Sequence, residues 1–358
     1  MQRLAVLLVG LAVLITACGS RQSGDGEGSS AKVALLLPET KTARYETQDR
    51  PNFERRVREL CPGCEVLYSN ADQDATKQQS QAEAALTNGA DVLVLDAVDY
   101  KSATSIVARA KQSKVPVVSY DRLVLDADID YYISFDNERV GRLQGQALLD
   151  VLRSSDKADG TIVMINGAPT DNNAMQYKQG AHSVLDDSGL KIAQEFDTPD
   201  WSPDKAQQQM EQALTNLGGD EIAGVYAAND GTAGGAIAAM KGSGVNPLPP
   251  VTGQDAELAA IQRILAGEQY MTVYKAIKLQ AEAAAEVAVA VARDEQPRAD
   301  LVNSAVSNNL KDVPSVLLTP IAVTRENVND TVIKDGFWTV DQICTADFAA
   351  ACEAAGLR

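Results

Sequence analysis

Asp121 and Arg122 place a carboxylate beside a guanidinium just after the apolar run 115–119, whose valines read as a strand buried on both faces. Polar groups recur in this relation along the chain. Arg44 and Tyr45 follow the apolar run 32–37, and Asp171, Asn172 and Asn173 follow 161–165. Asn229 and Asp230 follow 222–227, Asp255 follows 250–253, and Lys275 follows 271–274. Trp201, one of 2 tryptophans, sits in the loop 199–203. Carboxylates and amides can take paired hydrogen bonds from neighbouring hydroxyls, while Arg and Lys donate back. An aromatic ring packs on the C–H face of a pyranose. The set therefore suits a sugar. Taken singly, each Asp or Asn also suits a helix cap or a turn.

The elements that must position these groups alternate. Strand patterns at 32–37, 66–68, 91–95 and 115–119 are separated by helical patterns at 52–60, 72–86 and 103–111. After a short apolar run at 131–135 the alternation restarts. Strands at 161–165, 192–196, 222–227 and 250–253 are separated by helices at 174–185, 203–217 and 232–241, with a further helix at 138–152. Strand–helix alternation argues α/β architecture with parallel sheets covered on both faces. In such sheets ligands sit outside the carboxyl ends of the strands. The remaining pieces are a helix at 257–266, a strand at 271–274, an Ala-rich helix at 276–292 and an extended stretch at 316–323. They are too few for a third domain. They must complete the first two, so the chain crosses between domains more than once, which makes a hinge.

A chain of 358 residues with 45% hydrophobic content can bury two cores. Its formal charge of −17 repels phosphate backbones and argues against nucleic acid as a partner. His182 is the single histidine and falls inside a helical pattern, leaving Ser-His-Asp chemistry without a base. Carboxylates paired with Arg or Lys stay ionised and make poor general acids, which disfavours a glycosidase. Asp126 to Asp130 begin like a calcium loop, but Tyr131 stands where Gly is required and Asn137 where Glu is. No phosphate-binding or dinucleotide-binding glycine motif is present, and no metal or cofactor is expected.

Arg3 precedes an apolar segment, 4–17, that is shorter than the ~20 residues of a membrane-spanning helix. The residues 14–19, LITACG, resemble the lipobox of bacterial lipoproteins. That resemblance implies cleavage before Cys18, a diacylglycerol on its sulfur, and a Gly/Ser-rich tether. Four further cysteines would then lie in an oxidising compartment. Local pairs, Cys61 with Cys64 and Cys344 with Cys352, are the expected bridges; a CxxC can also be a redox centre or half a zinc site.

The stretches 120–137 (YDRLVLDADIDYYISFDN), 171–174 (DNNA), 228–237 (ANDGTAGGAI), 252–275 (TGQDAELAAIQRILAGEQYMTVYK), 317–324 (LLTPIAVT) and 330–337 (DTVIKDGF) resemble the D-xylose-binding proteins of bacterial ABC importers and the related multiple-sugar-binding proteins. The resemblance implies a type I periplasmic binding protein fold: two Rossmann-like lobes, a three-segment hinge, and one monosaccharide in the cleft. It implies sugar contacts from Arg44, Asp121, Arg122, Asn173, Asn229, Asp255 and Lys275, with Trp201 stacking and Asn172 as a weaker candidate. Tyr45 stands where the xylose binders carry Trp, which weakens stacking there or admits a different sugar. The expected division is a signal peptide 1–17, a tether 18–31, a first lobe of 32–134 plus 256–318, and a second of 135–255 plus 319–358. The function implied is a monomeric, lipid-anchored extracytoplasmic receptor, not an enzyme, that hands xylose, glucose or another monosaccharide to permease subunits. Presentation to a sensor kinase is the alternative.

Overall fold

The computed structural model describes residues 30–357; the expected signal peptide, Cys18 and most of the tether lie outside the described residues. The first lobe is laid down by strands β1 (Lys32–Leu37), β2 (Glu65–Asn70), β3 (Val92–Leu95), β4 (Val117–Tyr120) and β5 (Tyr131–Phe135). Helices α1 (Arg50–Leu60), α2 (Ala75–Thr87) and α3 (Thr104–Gln112) connect them. The second lobe follows as α4 (Asn137–Ser154), β6 (Thr161–Asn166), α5 (Asn172–Leu185), β7 (Lys191–Asp197), α6 (Pro203–Leu217), β8 (Ile222–Ala227), α7 (Asp230–Gly242), α8 (Leu258–Ala266) and β9 (Met271–Tyr274). The chain then returns to the first lobe with α9 (Ile277–Ala292), β10 (Ser304–Ser307) and β11 (Asp312–Leu318). It ends in the second lobe with β12 (Ile321–Thr324), α10 (Val340–Ile343) and α11 (Ala349–Ala354).

The first sheet runs β10-β11-β5-β4-β3-β1-β2, parallel except where β10 pairs with β11. Alternation along β1 shows why helices must cover both faces. Val33, Leu35 and Leu37 pack with Phe53, Val57 and the alanines of α9, whereas Ala34 and Leu36 pack with Ala82 of α2 and Ile106 of α3. The second lobe repeats the scheme around the parallel sheet β7-β6-β8. Ile162 and Met164 face the core built with α4 and α5, and Val163 and Ile165 face the one built with α6 and α7. Single bridges Val225 to Val251 and Gln254 to Val273 carry that sheet on to β9 and its antiparallel partner β12.

The chain crosses between lobes at Asp136, at Lys275–Ala276 and at Thr319–Pro320. The middle crossing corrects the expected boundary at 255/256. β9 pairs with β12, and α8 packs with Val323, Val328 and Cys352, so 256–275 belongs to the second lobe. The extended stretch 316–323 divides between β11 and β12 of different lobes. Both expected cysteine pairs are bonded, with S–S distances of 1.96 Å for Cys61–Cys64 and 2.09 Å for Cys344–Cys352.

Candidate functional site

Strand ends from both lobes converge on a small, buried cavity with about 20 Å³ open to the centres of water-sized molecules. The first lobe contributes Thr42, Arg44, Tyr45, Asp121 and Arg122; the second contributes Asp171, Tyr177, Trp201, Asn229, Gln254 and Asp255; Lys275 comes from the middle crossing. Apart from Thr42, at 6%, each is at most 4% exposed, so the lobes are closed over the space.

Three of these side chains are aimed by backbone that most residues avoid. Asp121, Trp201 and Asp255 have φ of +55°, +52° and +90°, conformations that cost about 1–3 kcal/mol and cluster at ligand clamps. Asp121 follows β4 directly. Its backbone oxygen accepts from Tyr132 Oη (3.1 Å), Ser134 Oγ (2.8 Å) and, across the cleft, Asn173 Nδ2 (3.1 Å). Gly167 lets Trp201 in, since a Cβ there would lie 2.0 Å from the indole ring.

The charges form two nests. Arg44 is gripped by Asp49 (2.9 and 2.7 Å), donates to Gln280 of α9 (2.8 Å) and Asp121 (3.2 Å), and lies 3.7 Å from Asp255. Asp49 also accepts from the Tyr120 hydroxyl. Arg122 faces Asp171 at 3.0 Å, Asp96 at 3.5 Å and Glu39 at 4.0 Å. Tyr45 joins the nests: its hydroxyl donates to Asp121 Oδ2 (3.2 Å) and accepts from Arg122 Nη2 (3.3 Å). Lys275 Nζ lies 2.9 Å from Asp255. Burial pushes Asp96, Asp49 and Asp171 above the ordinary carboxylate value. At Asp121 burial acts the same way, but the charges of Arg44 and Lys275 and the Gln280 bond outweigh it and hold the carboxyl below the usual range.

Of the ten residues singled out from the sequence, Arg44, Tyr45, Asp121, Arg122, Trp201, Asn229, Asp255 and Lys275 line the cavity. Asn173 and Asn172 do not. Asn173 bridges Asp121 and Asn137 and so clasps the lobes together. Asn172, the first residue of α5, is buried with an unpartnered Nδ2. Sequence reasoning missed Thr42, Tyr177 and Gln254, and placed Asp171 among the strand-end polar groups without counting it as a sugar contact. Asp171 shows why: its Oδ1 caps α5 through Asn173 N (2.8 Å), while its Oδ2 accepts from Trp201 Nε1 (3.0 Å). Asn229 also caps its helix, accepting from Thr232 N (2.8 Å) at the cavity wall. Capping and cavity-lining positions thus coexist in single residues. Tyr177 lies four residues after Asn173 on α5, a helical spacing that could have located it. His182 lies between Asp186 (2.7 Å) and Glu195 (3.1 Å), outside the cavity wall.

Two α/β lobes, three crossings and a closed interlobe cavity with hydrogen-bonding walls define a two-lobed solute-binding protein. Residues 33–296 match the periplasmic binding protein domain family, and the chain belongs to that family. It is 40% identical to the D-xylose-binding periplasmic protein of Escherichia coli K12 over 331 residues, covering 91% of this chain and 97% of that one. It is 30% identical to a multiple sugar-binding periplasmic receptor of Rhizobium radiobacter, covering 95% and 98%. Among solved structures it resembles an ABC transporter solute binding protein from Clostridium phytofermentans with bound β-D-glucose. That likeness has a TM-score of 0.80 and 29% identity, covering 87% of this chain and 99% of that one.

Proposed function

We propose that this chain is an extracytoplasmic receptor that closes its lobes on one monosaccharide, D-xylose foremost, and delivers it to the permease subunits of an ABC importer. The observation that carries the reading is the cavity itself. Hydroxyl-binding carboxylates, amides and guanidinium groups from both lobes surround a space flanked by Tyr45 and Trp201. Xylose comes first because two D-xylose-binding periplasmic proteins, at 40% and 38% identity, align over nine-tenths of this chain. Glucose is the second candidate, favoured by the bound β-D-glucose of the Clostridium relative.

The open form exposes a wet cleft, and the sugar joins groups on both lobes. That differential contact is what moves the equilibrium to the closed form. Lipidation at Cys18 holds the receptor, as a monomer, at the outer face of the membrane; Cys18→Ser should release it into the soluble fraction. Calorimetric titration with xylose, glucose, galactose, arabinose and ribose tests the reading. Xylose should bind most tightly, and heat from none of the five would overturn it.

A further inference from the structure

The buried network around the site holds more carboxylates than cations. Glu39, Asp49, Asp96, Asp121, Asp171 and Asp255 are each at most 4% exposed. Asp121, Asp171 and Asp255 of the cavity wall balance the cations Arg44, Arg122 and Lys275, and Glu39, Asp49 and Asp96 behind the wall leave the buried network a formal excess of three carboxylates. Each cation already lies within 4.0 Å of a carboxylate. A carboxylate on the ligand would therefore meet no unpaired cation and would add to a buried anionic excess, which is costly.

The unspent hydrogen-bonding capacity points the same way. In the cavity wall, Asp255 Oδ1 and Gln254 Oε1 are buried without a hydrogen-bond partner, as are both oxygens of Asp96 and Glu39 Oε1 behind it. Asp255 Oδ1 lies 2.9 Å from Lys275 Nζ without an aligned bond, and Gln254 stands beside it in the cavity wall. The orphaned donor nearby, Arg122 Nε, is already opposite Asp171 at 3.0 Å. Burial, and then the charges of Asp121 and Asp171, push Asp96 well above its ordinary value against the pull of Arg122, so the surroundings of Asp96 disfavour negative charge. An ammonium donates three hydrogen bonds and accepts none.

We propose that the cleft takes amino sugars, monosaccharides with an ammonium in place of one hydroxyl, at least as tightly as their neutral parents, and refuses the corresponding sugar acids. The proposal rests on the sugar-receptor reading above and narrows its ligand class.

Calorimetric titration of the full chain at about pH 6 keeps an amine charged if it titrates near the roughly 7.7–8.0 of an α-amino group. Each neutral sugar that binds is compared with its own counterparts: xylose with xylosamine and xylonate, glucose with glucosamine and glucuronate. At least one amino sugar should equal or exceed its parent, and every acid should be weaker than its parent by at least about tenfold. Amino sugars weaker than the parent in every pair, or an acid within about tenfold of it, would overturn the proposal. Silence from all neutral sugars would instead overturn the sugar-receptor reading, so the two failures are distinct. Asp255→Asn removes one carboxylate from the cavity wall and should lower the amino-to-neutral affinity ratio by about threefold or more; an unchanged ratio contradicts the charge argument. If that variant does not fold, the wild-type ratios decide the matter.

Discussion

Asp121 concentrates more of the site than any other residue. Its Oδ1 accepts from Arg44 and Gln280, its Oδ2 from Tyr45, and its backbone oxygen from three further groups. Asp121→Ala should weaken sugar binding by about 1–3 kcal/mol, because buried donors lose their acceptor; titration calorimetry reads this, and wild-type affinity would remove Asp121 from the site. The sign of its pH dependence follows from a folded value held below the ordinary one. The stability it contributes is fully present above the unfolded value of about 3.9 and is lost as pH falls toward the folded value. The stability gap between wild type and Asp121→Asn in urea should therefore be flat from neutral pH to about 5 and narrow below 4. At this scale the sequence announced most of the cavity wall, because Asp, Asn and Arg after apolar runs stand out. Gln254, masked by its neighbour Asp255, did not stand out, and Asp171 was noticed without a role, since one side chain can satisfy two demands.

The N-termini of α7 and α8 meet behind the site. Asp230, the first residue of α7, accepts from Gln269 Nε2 (2.7 Å), Thr272 Oγ1 (2.9 Å) and the backbone N of Glu257 (2.9 Å). Burial pushes Asp230 up to about 7 despite Arg263 nearby, and burial together with the Asp230 charge pushes Glu257 up to about 8. Both acids bind protons more tightly folded than unfolded, so stability falls as pH rises from about 4 to 8. Asp230→Asn should flatten that slope in thermal unfolding measured across the window; an unchanged slope would refute the assignment. At the other end of the lobe, the bridge from Cys344 to Cys352 pins α11 against the core that also holds Ile343 and Phe337. Replacing both cysteines with serine should cost about 2–3 kcal/mol in urea unfolding if loop closure governs the effect, and no change in stability would contradict it. The alternating elements were legible because β1, β3, β4 and β8 are continuous apolar runs. β10 was not: its burial alternates, and as an edge strand it pairs only with β11. The end of the second lobe's middle segment was misplaced because the pairing of β9 with β12 joins residues nearly fifty apart, which local pattern cannot register.

At the scale of the whole molecule, hydrogen bonds join the lobes beside the site as well as within it. Asn173 to the Asp121 backbone, Tyr100 N to Thr170 O (3.2 Å) and Gln73 Nε2 to Asp200 O (3.4 Å) span the cleft. The ion pair of Arg122 with Asp171 spans it as well, inside the cavity wall. A ligand touching both walls adds to what keeps the lobes together, and a ligand touching one wall would shift nothing. Lys275 lies both in the middle crossing and in the cavity wall, so the site and the hinge share a residue. Small-angle X-ray scattering of the chain with and without saturating xylose tests this most directly. The account predicts a smaller radius of gyration with xylose, and a smaller or absent change for Asp121→Ala at the same concentration. A wild-type radius unmoved by a sugar that calorimetry shows to be bound would contradict it.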